Sequence, residues 1–143
     1  MTFVLDASVA LTWLFKEPGA RTDSYAFEVL ALIRAPDAEI HVPVIWSLEI
    51  ANVLARSEAK GIVTPAQSAS FLELLDAAPI VLDATSASRA LTETLQLARR
   101  YRLSAYDASY LELALRVGVS LATLDEALKR AASKAGLRLL KVV

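Results

Sequence analysis

Short apolar runs alternate along the chain with longer segments whose apolar positions recur at helical spacing. The apolar runs predict five strands, at residues 3–5, 40–43, 80–82, 119–123 and 137–143. The longer segments predict helices at residues 8–15, 21–34, 45–60, 65–76, 86–102, 104–117 and 126–135. Helices between successive strands require crossover connections, which predict a mostly parallel sheet covered on both faces. We therefore expect one three-layer α/β/α domain over residues 1–143.

Residues with restricted or permissive backbones mark several predicted helix ends. Pro18-Gly19 and Pro36 are expected to end the first two helices. Gly61 stands directly after the third helix, at a position that favours a left-handed backbone. Thr64 followed by Pro65 predicts an N-cap and the first residue of the fourth helix.

Composition narrows the chemistry that this fold can carry. Hydrophobic residues make up 55% of the 143, which favours one domain with a substantial core. The chain has no cysteine, which excludes disulfides, Cys-based zinc sites, iron–sulfur clusters and thiol catalysis. A net charge of −1 argues against binding nucleic acid by bulk charge alone. No apolar run has membrane-spanning length and no export signal is seen, so we expect a cytoplasmic protein without membrane association.

Acidic residues follow three of the predicted strands: Asp6, Asp83 and Asp125. Ligands of parallel α/β sheets bind beyond the carboxyl ends of the strands, so catalytic acids are expected there. Helix capping is the alternative for Asp6 and Asp125, which precede helices, and for Asp107, which follows Ser104 at the spacing of a capping box. Taken singly, each of these three aspartates is more readily explained as a cap.

Glu49 is harder to explain by capping because it lies in the second turn of its helix. At 100° per residue, Glu49, Asn52, Arg56 and Lys60 form one polar stripe, and apolar residues cover most of the remaining circumference. We expect such a helix to be largely buried, with its stripe facing either solvent or a cleft. The position of Glu49 favours the cleft.

A meeting of these acids would require a counter-ion. Two carboxylates 4–5 Å apart repel by roughly 3–4 kcal/mol at an effective dielectric constant of 20, so a cluster of them persists only with bound protons or a cation. Without cysteine or a histidine cluster, the fitting ion is Mg²⁺, or Mn²⁺ as its substitute. Carboxylates with Mg²⁺ indicate phosphoryl chemistry, in which a metal-activated water attacks phosphorus.

Four segments together resemble the acidic motifs of PIN domains. DASV at residues 6–9 is similar to the first motif, and WSLEIANVL at residues 46–54 to the second. LSAYDASYLELA at residues 103–114 is similar to the third, and LATLD at residues 121–125 to the fourth. The motifs occur in order and the resemblance covers the whole chain. Among PIN proteins, the chain most resembles the VapC toxins of type II toxin–antitoxin systems.

The resemblance implies a PIN-like fold and an Mg²⁺- or Mn²⁺-dependent endoribonuclease that leaves a 5′-phosphate and a 3′-hydroxyl. It also implies a homodimer and a VapB-like antitoxin whose C-terminal segment lies across the early helices. Apolar side chains on those helices are therefore either core or part of a partner groove; they are Trp13, Phe15, Tyr25, Phe27 and Leu30.

Carried over by position, the resemblance gives roles to seven residues. Four acids match the catalytic and metal-binding positions, of which the last holds a second metal or orients water. Two hydroxyls and one amide match supporting positions, whereas Asp83 matches none. In order, the seven are Asp6, Glu49, Asp107 and Asp125, then Ser8 and Thr123, then Asn52.

Five basic residues are candidates for contacts with RNA phosphates. Arg56 and Lys60 share the stripe of Glu49 and are alternatively members of ion pairs. Arg99, Arg100 and Arg102 precede the third motif, where a solvated helix end is the alternative.

Other functions fit the sequence less well. His41, the one histidine, lies in an apolar run and has no matched serine and aspartate for a hydrolytic triad. A magnesium-dependent phosphatase with an aspartate nucleophile commonly needs a second aspartate where Ser8 stands. A catalytically inert PIN-like module that acts only with an antitoxin partner is the remaining alternative.

Overall fold

The computed structural model describes residues 1–16 and 24–142. Its sheet has four strands in the order β3-β2-β1-β4, and every neighbouring pair is parallel. Parallel strands need crossover connections, and the helices between them cover both faces of the sheet. The predicted three-layer α/β/α class is confirmed. The strands are Thr2–Leu5 (β1), Glu39–Pro43 (β2), Ile80–Asp83 (β3) and Ser120–Ala122 (β4).

Eight α-helices are described, and a π-helical turn, Ala90–Thr94, joins the fifth to the sixth. None of the helices in the described ranges combines the length and apolar character needed to cross a bilayer. The helices are Ala7–Phe15 (α1), Ser24–Ile33 (α2), Ile45–Ala59 (α3), Pro65–Asp76 (α4), Ser86–Arg89 (α5), Leu95–Tyr101 (α6), Ala105–Val117 (α7) and Glu126–Lys134 (α8).

The core is built around β1, whose side chains at residues 3–5 are fully buried because helices cover both of its faces. Helix α7 contributes the largest fully buried side chain, that of Tyr110, together with Leu111 and Leu113. It contacts β1, β2 and β4, so it crosses the middle of the sheet. A residue at the start of α7 is thereby held close to the carboxyl end of β1.

Two of the predicted helix boundaries are confirmed in atomic detail. Gly61 follows α3 with a φ of 70°, the left-handed conformation that glycine adopts without cost. Thr64 caps α4: its hydroxyl accepts from the Gln67 N–H at 3.1 Å, and the Gln67 side chain accepts from the Thr64 N–H at 2.9 Å. The predicted break at Pro18-Gly19 and the predicted helical residues 21–23 lie outside the described residues.

The predicted fifth strand is wrong. Residues 137–142 run beside β4 but form only an isolated bridge, between Leu139 and Leu121. The carbonyl of Leu140 instead accepts a hydrogen bond from the Tyr25 hydroxyl of α2 at 2.9 Å. The segment therefore pairs with the sheet at one point and is fastened to a helix beyond it. Val143 lies outside the described residues.

The predicted helix 86–102 is interrupted. The π-helical turn divides it into α5 and α6, and Arg102 ends α6 with a φ of 54°. In this left-handed conformation of Arg102, the Leu103 N–H bonds to the Ala98 carbonyl at 3.0 Å.

The expected burial of the third helix is also wrong. In α3, Ser47, Ala51 and Ala55 are exposed, and the Leu48 side chain is 67% exposed. Ser47 and Ala51 lie along an open groove of about 750 Å³ that α3 forms with α4 and β3. An apolar circumference did not require burial here, since most of these side chains are small.

The left-handed Arg102 gives a prediction about stability. Replacing Arg102 by glycine relieves a backbone conformation that costs a non-glycine residue free energy. We expect Arg102→Gly to raise the free energy of unfolding by about 0.5–1 kcal/mol in urea denaturation. The matched control, Arg100→Gly, lies inside α6 and should lower it by about 1 kcal/mol. Equal losses in both variants would contradict the prediction.

Candidate active site

Asp6 lies directly after β1 and is only 4% exposed. Its Oδ2 accepts hydrogen bonds from the Ser8 hydroxyl at 2.6 Å and the Thr123 hydroxyl at 2.7 Å. Although Asp6 occupies the N-cap position of α1, its side chain makes no capping bond there. The capping interpretation of Asp6 is therefore wrong, and its Oδ1 has no hydrogen-bond partner among the described residues.

The two hydroxyls that hold Asp6 are themselves fixed by backbone N–H groups. Ser8 Oγ accepts from the Leu124 N–H, and Thr123 Oγ1 accepts from the Asp125 N–H, both at 3.0 Å. Each hydroxyl thus donates to the carboxylate and accepts from the loop after β4. Two of these four hydrogen bonds, Thr123 to Asp6 and the Leu124 N–H to Ser8, join the fourth motif to the first.

Glu49 extends from the second turn of α3 and is half-buried. Its Oε1 accepts a hydrogen bond from the Tyr110 hydroxyl at 2.6 Å. No role was predicted for Tyr110, although it lies three residues after Asp107 and therefore on a neighbouring part of the α7 surface. That spacing was the signal available in the sequence.

Asp107 lies in the first turn of α7 and is partly buried. The Ser104 hydroxyl caps this helix by accepting from the Asp107 N–H at 3.1 Å. Within residues 1–16 and 24–142, the Asp107 carboxylate accepts no hydrogen bond from the Ser104 N–H, so only half of the predicted capping box forms. Its carboxylate is therefore not engaged in capping.

Asp125 does cap a helix. It is the N-cap of α8, where its Oδ1 accepts from the Leu128 N–H at 2.8 Å. The capping interpretation is confirmed for this residue. Its charge nevertheless acts on the other acids, since it raises the pKa of both Asp6 and Asp107.

The fold raises the pKa of the carboxyl groups of Asp6, Glu49 and Asp107. Burial is the largest cause for Asp6, Glu49 and Asp107 alike. The hydroxyls of Ser8 and Thr123 lower the pKa of Asp6, whereas the charges of Asp6 and Asp107 raise that of Glu49. Charge repulsion thus links Asp6 with each of the other three acids, and Asp107 with both Glu49 and Asp125.

The fit to a divalent cation rests on the donor set. In the described part of the chain, no three His, Asp or Glu side chains are gathered closely enough to bind one ion directly. Mg²⁺ usually keeps several waters and takes only one or two protein carboxylates besides substrate phosphates. Asp6, with one oxygen held by hydroxyls, and the mutually repelling Glu49 and Asp107 suit a hydrated ion of that kind.

The other predicted contacts lie on the surface. Asn52, Arg56 and Lys60 are exposed on α3 and just beyond it, and neither basic residue forms an ion pair with the described residues. The basic residues before α7 are exposed as well, and the guanidinium of one of them lies 5.6 Å from the Tyr101 ring centroid. These residues are Arg99, Arg100 and Arg102, and the guanidinium over the Tyr101 ring is that of Arg100.

Two polar residues that were not expected in the site have other partners. Asp83, at the end of β3, accepts from Arg116 at 2.6 Å. The His41 ring nitrogen Nε2 lies 2.7 Å from the Glu39 carboxylate, two residues away on the same strand, β2.

The five apolar residues of the early helices differ in burial, and Trp13 is the one among them that lines the groove beside α4. The Trp13 indole N–H donates to the Ala26 carbonyl at 2.7 Å, which joins α1 to α2. Leu30 is buried, Tyr25 and Phe27 are partly buried, and Phe15 is exposed. A groove of about 380 Å³ between α1 and α4 is lined by Trp13, Leu14, Ala66, Gln67, Ser70, Phe71 and Leu74.

The parallel α/β/α fold with acids at its carboxyl edge defines the class to which the chain belongs. The chain is a member of the PIN domain family, whose model matches residues 3–134. No curated protein sequence matches significantly.

Two solved structures share this fold. One is VapBC2 from Rickettsia felis bound to a DNA fragment from its promoter, with a TM-score of 0.68, 16% identity and full coverage of both chains. The other is PAE2754 from Pyrobaculum aerophilum, with a TM-score of 0.66, 20% identity, and coverage of 92% of this chain and 79% of that one.

The raised pKa values predict how stability depends on pH. Because folding raises the pKa of Asp107, the folded chain keeps this proton to a higher pH than the unfolded chain. The Asp107 contribution is therefore favourable below the ordinary carboxyl range and is lost as the pH rises through the pKa of the folded state. In EDTA at pH 7, Asp107→Asn should raise the free energy of unfolding by about 0.5 kcal/mol, a small value because water screens a half-exposed charge.

This gain should shrink as the pH falls below about 4, where the carboxyl group is protonated in both states. Urea denaturation at a series of pH values measures it. Glu28→Gln, at an exposed position in α2, is the control and should show no such trend. A loss of stability in Asp107→Asn at pH 7 would contradict the prediction.

Proposed function

We propose that this chain is a divalent-metal-dependent endoribonuclease and the toxin of a toxin–antitoxin system. Membership of the PIN family and a fold shared with the toxin–antitoxin complex from Rickettsia felis support the proposal. The observation that carries it is the state of Asp6. This acid is buried, held on one oxygen by two hydroxyls, and subject to the charge of a neighbouring acid. Such an arrangement costs stability without a cation and is typical of a functional site.

Asp6, Glu49 and Asp107 would hold a hydrated Mg²⁺ or Mn²⁺, in part through its waters, and Asp125 would hold a second ion or orient water. When bound, the ion would lower the pKa of a coordinated water and offset negative charge on the phosphate. The chain itself contributes orientation, since the hydroxyls of Ser8 and Thr123 fix one oxygen of Asp6. Hydrolysis would break the bond from phosphorus to the 3′-oxygen, leaving a 3′-hydroxyl and a 5′-phosphate.

The exposed basic residues beside the acidic edge would bind the RNA backbone. Arg56 follows Glu49 by seven residues on α3, which is about 10 Å along the helix axis. Arg99 and Arg100 stand in the last turn of α6, just before the turn that leads to Asp107. Cations on both sides of an acidic site would hold a polyanion across it.

The partner implied by the fold is an antitoxin of the VapB kind, and the protein would act as a homodimer. The related structure from Rickettsia felis is a complex of this type, bound to promoter DNA. The groove between α1 and α4 suits an apolar partner segment because Trp13 and Phe71 line it. A catalytically inert module that binds the same partner is the second candidate, favoured by the lack of a preformed three-ligand cluster in the described ranges.

Substitution of the acids tests the proposed activity. Asp6→Asn and Asp107→Asn should each reduce cleavage of a structured RNA panel at least about 100-fold, because a neutral amide cannot replace the charge that holds the cation. EDTA should abolish wild-type cleavage, and Mg²⁺ or Mn²⁺ should restore it. End-labelled products and circular dichroism report cleavage and folding.

Glu28→Gln is the control and should cleave like the wild type, since this glutamate is exposed on α2. Full activity in a folded Asp6→Asn variant would exclude the proposed site. A folded wild-type protein that binds an antitoxin but cleaves no RNA with any divalent ion would favour the inert module.

The salt dependence of RNA binding tests the basic residues. In the inactive Asp107→Asn background, the slope of log K against log salt for single-stranded RNA should weaken by about 0.7 for each phosphate contact removed. We expect this loss in Arg56→Gln and in Arg100→Gln, measured by fluorescence anisotropy. Arg130→Gln, an exposed position of α8, should keep the parent slope. An unchanged slope in both test variants would show that these residues do not contact the backbone.

A further inference from the structure

Tyr110 is a buried tyrosine whose one polar atom reaches the acidic edge. Its side chain is 0% exposed and is the largest fully buried side chain described. The ring fills the core under α7, a role that phenylalanine would perform equally well. The hydroxyl is different, because a buried hydroxyl needs a hydrogen-bond partner and here the partner is the carboxylate of Glu49.

The contact between Tyr110 and Glu49 is of a strong kind. The oxygens are 2.6 Å apart, within the range of charge-assisted O–H···O⁻ bonds. Burial, followed by the Glu49 charge, raises the pKa of Tyr110 far above its usual value, so the hydroxyl keeps its proton and donates it to the carboxylate. The bond joins side chains that are 61 residues apart in sequence.

The bond restrains a side chain that is otherwise flexible. Glu49 has three rotatable bonds and extends from a helix whose outer side is exposed. The hydrogen bond from Tyr110 of α7 to Oε1 fixes the direction of the Glu49 carboxylate. The second oxygen, Oε2, has no hydrogen-bond partner among residues 1–16 and 24–142. The bond thus connects α3, which carries Glu49, to α7, which also carries Asp107.

We propose that Tyr110 is a positioning residue, whose hydroxyl orients Glu49 so that its second oxygen faces the cation held with Asp6 and Asp107. The inference rests on the proposed function for the presence of that cation. Tyr110 would act on Glu49 as Ser8 and Thr123 act on Asp6, where their hydroxyls fix one carboxylate oxygen. Outer partners of this kind usually change metal affinity by 10- to 100-fold.

The test is Tyr110→Phe, which keeps the ring and removes the hydroxyl. Titration of the metal-free, RNA-free protein with Mn²⁺, followed by electron paramagnetic resonance, should show at least about tenfold weaker binding. Cleavage should fall at low Mn²⁺ and recover as Mn²⁺ approaches saturation. A residue that only stabilised the core would leave the Mn²⁺ affinity of the folded protein unchanged.

Tyr25→Phe is the matched control, since it removes a tyrosine hydroxyl that bonds to the Leu140 carbonyl at 2.9 Å. It should leave Mn²⁺ affinity unchanged. In a Glu49→Ala background, adding Tyr110→Phe should change Mn²⁺ affinity less than twofold, because the hydroxyl acts through Glu49.

The outcomes separate the two proposals. Wild-type affinity in Tyr110→Phe, or an undiminished effect of it in Glu49→Ala, would overturn the role of Tyr110 alone. Mn²⁺ binding that Tyr110→Phe weakens, in a wild-type protein that cleaves no RNA, would support the role of Tyr110 and overturn the nuclease. A wild-type protein that binds no Mn²⁺ would overturn both.

Discussion

A carboxylate buried at the end of a central strand is the constraint on which the rest of the site depends. Asp6 leaves water because β1 lies in the middle of the sheet with helices on both faces. Burial of a charge is costly unless it is hydrogen-bonded, and two hydroxyls meet this need at a single oxygen. The small residues around Asp6 follow from the same constraint, since a larger side chain at Ala7 or Ser8 would enter the core or displace a donor.

Helix α7 positions two of the remaining acids, Asp107 and Glu49. Its first turn carries Asp107, and its buried side carries Tyr110 beneath Glu49. Toward its other end, the buried Glu112 accepts from Arg116 at 2.7 Å, and Arg116 in turn pairs with Asp83 of β3 at 2.6 Å. This ion network fastens the helix to the edge of the sheet. The helix is therefore restrained near both ends.

The fold could be predicted well from the sequence because short apolar strands and amphipathic helices of a parallel α/β fold each have a recognisable local residue pattern. Four strands, the Thr64 cap and the turn at Gly61 were all readable from apolar spacing and turn residues. The prediction of a fifth strand was wrong because an apolar run does not reveal whether its backbone forms hydrogen bonds with a neighbouring strand. Here the Leu140 carbonyl accepts a hydrogen bond from a tyrosine side chain. The prediction that α3 is largely buried was wrong because the small side chains of Ser47 and Ala51 tolerate exposure.

The candidate site was less predictable than the fold. Asp6 and Asp125 were equivalent as possible caps, and only the structure distinguishes them: Asp125 caps α8, whereas Asp6 is held by hydroxyls. That distinction depends on contacts between distant segments, which spacing along the chain does not encode. The role of Tyr110 was not predictable for the same reason, because a tyrosine in the core and a tyrosine that donates to a carboxylate look identical in sequence.

The hydrogen bond from Thr123 to Asp6 spans 117 residues and has a consequence for biosynthesis. Translation adds Thr123 117 residues after Asp6, so until then a growing chain lacks one of the two hydroxyls that hold this acid. Pairing of β4 with β1 must also await that late segment. A product that stops before β4 would therefore lack both the strand that pairs with β1 on that side and the Thr123 hydroxyl that bonds to Asp6.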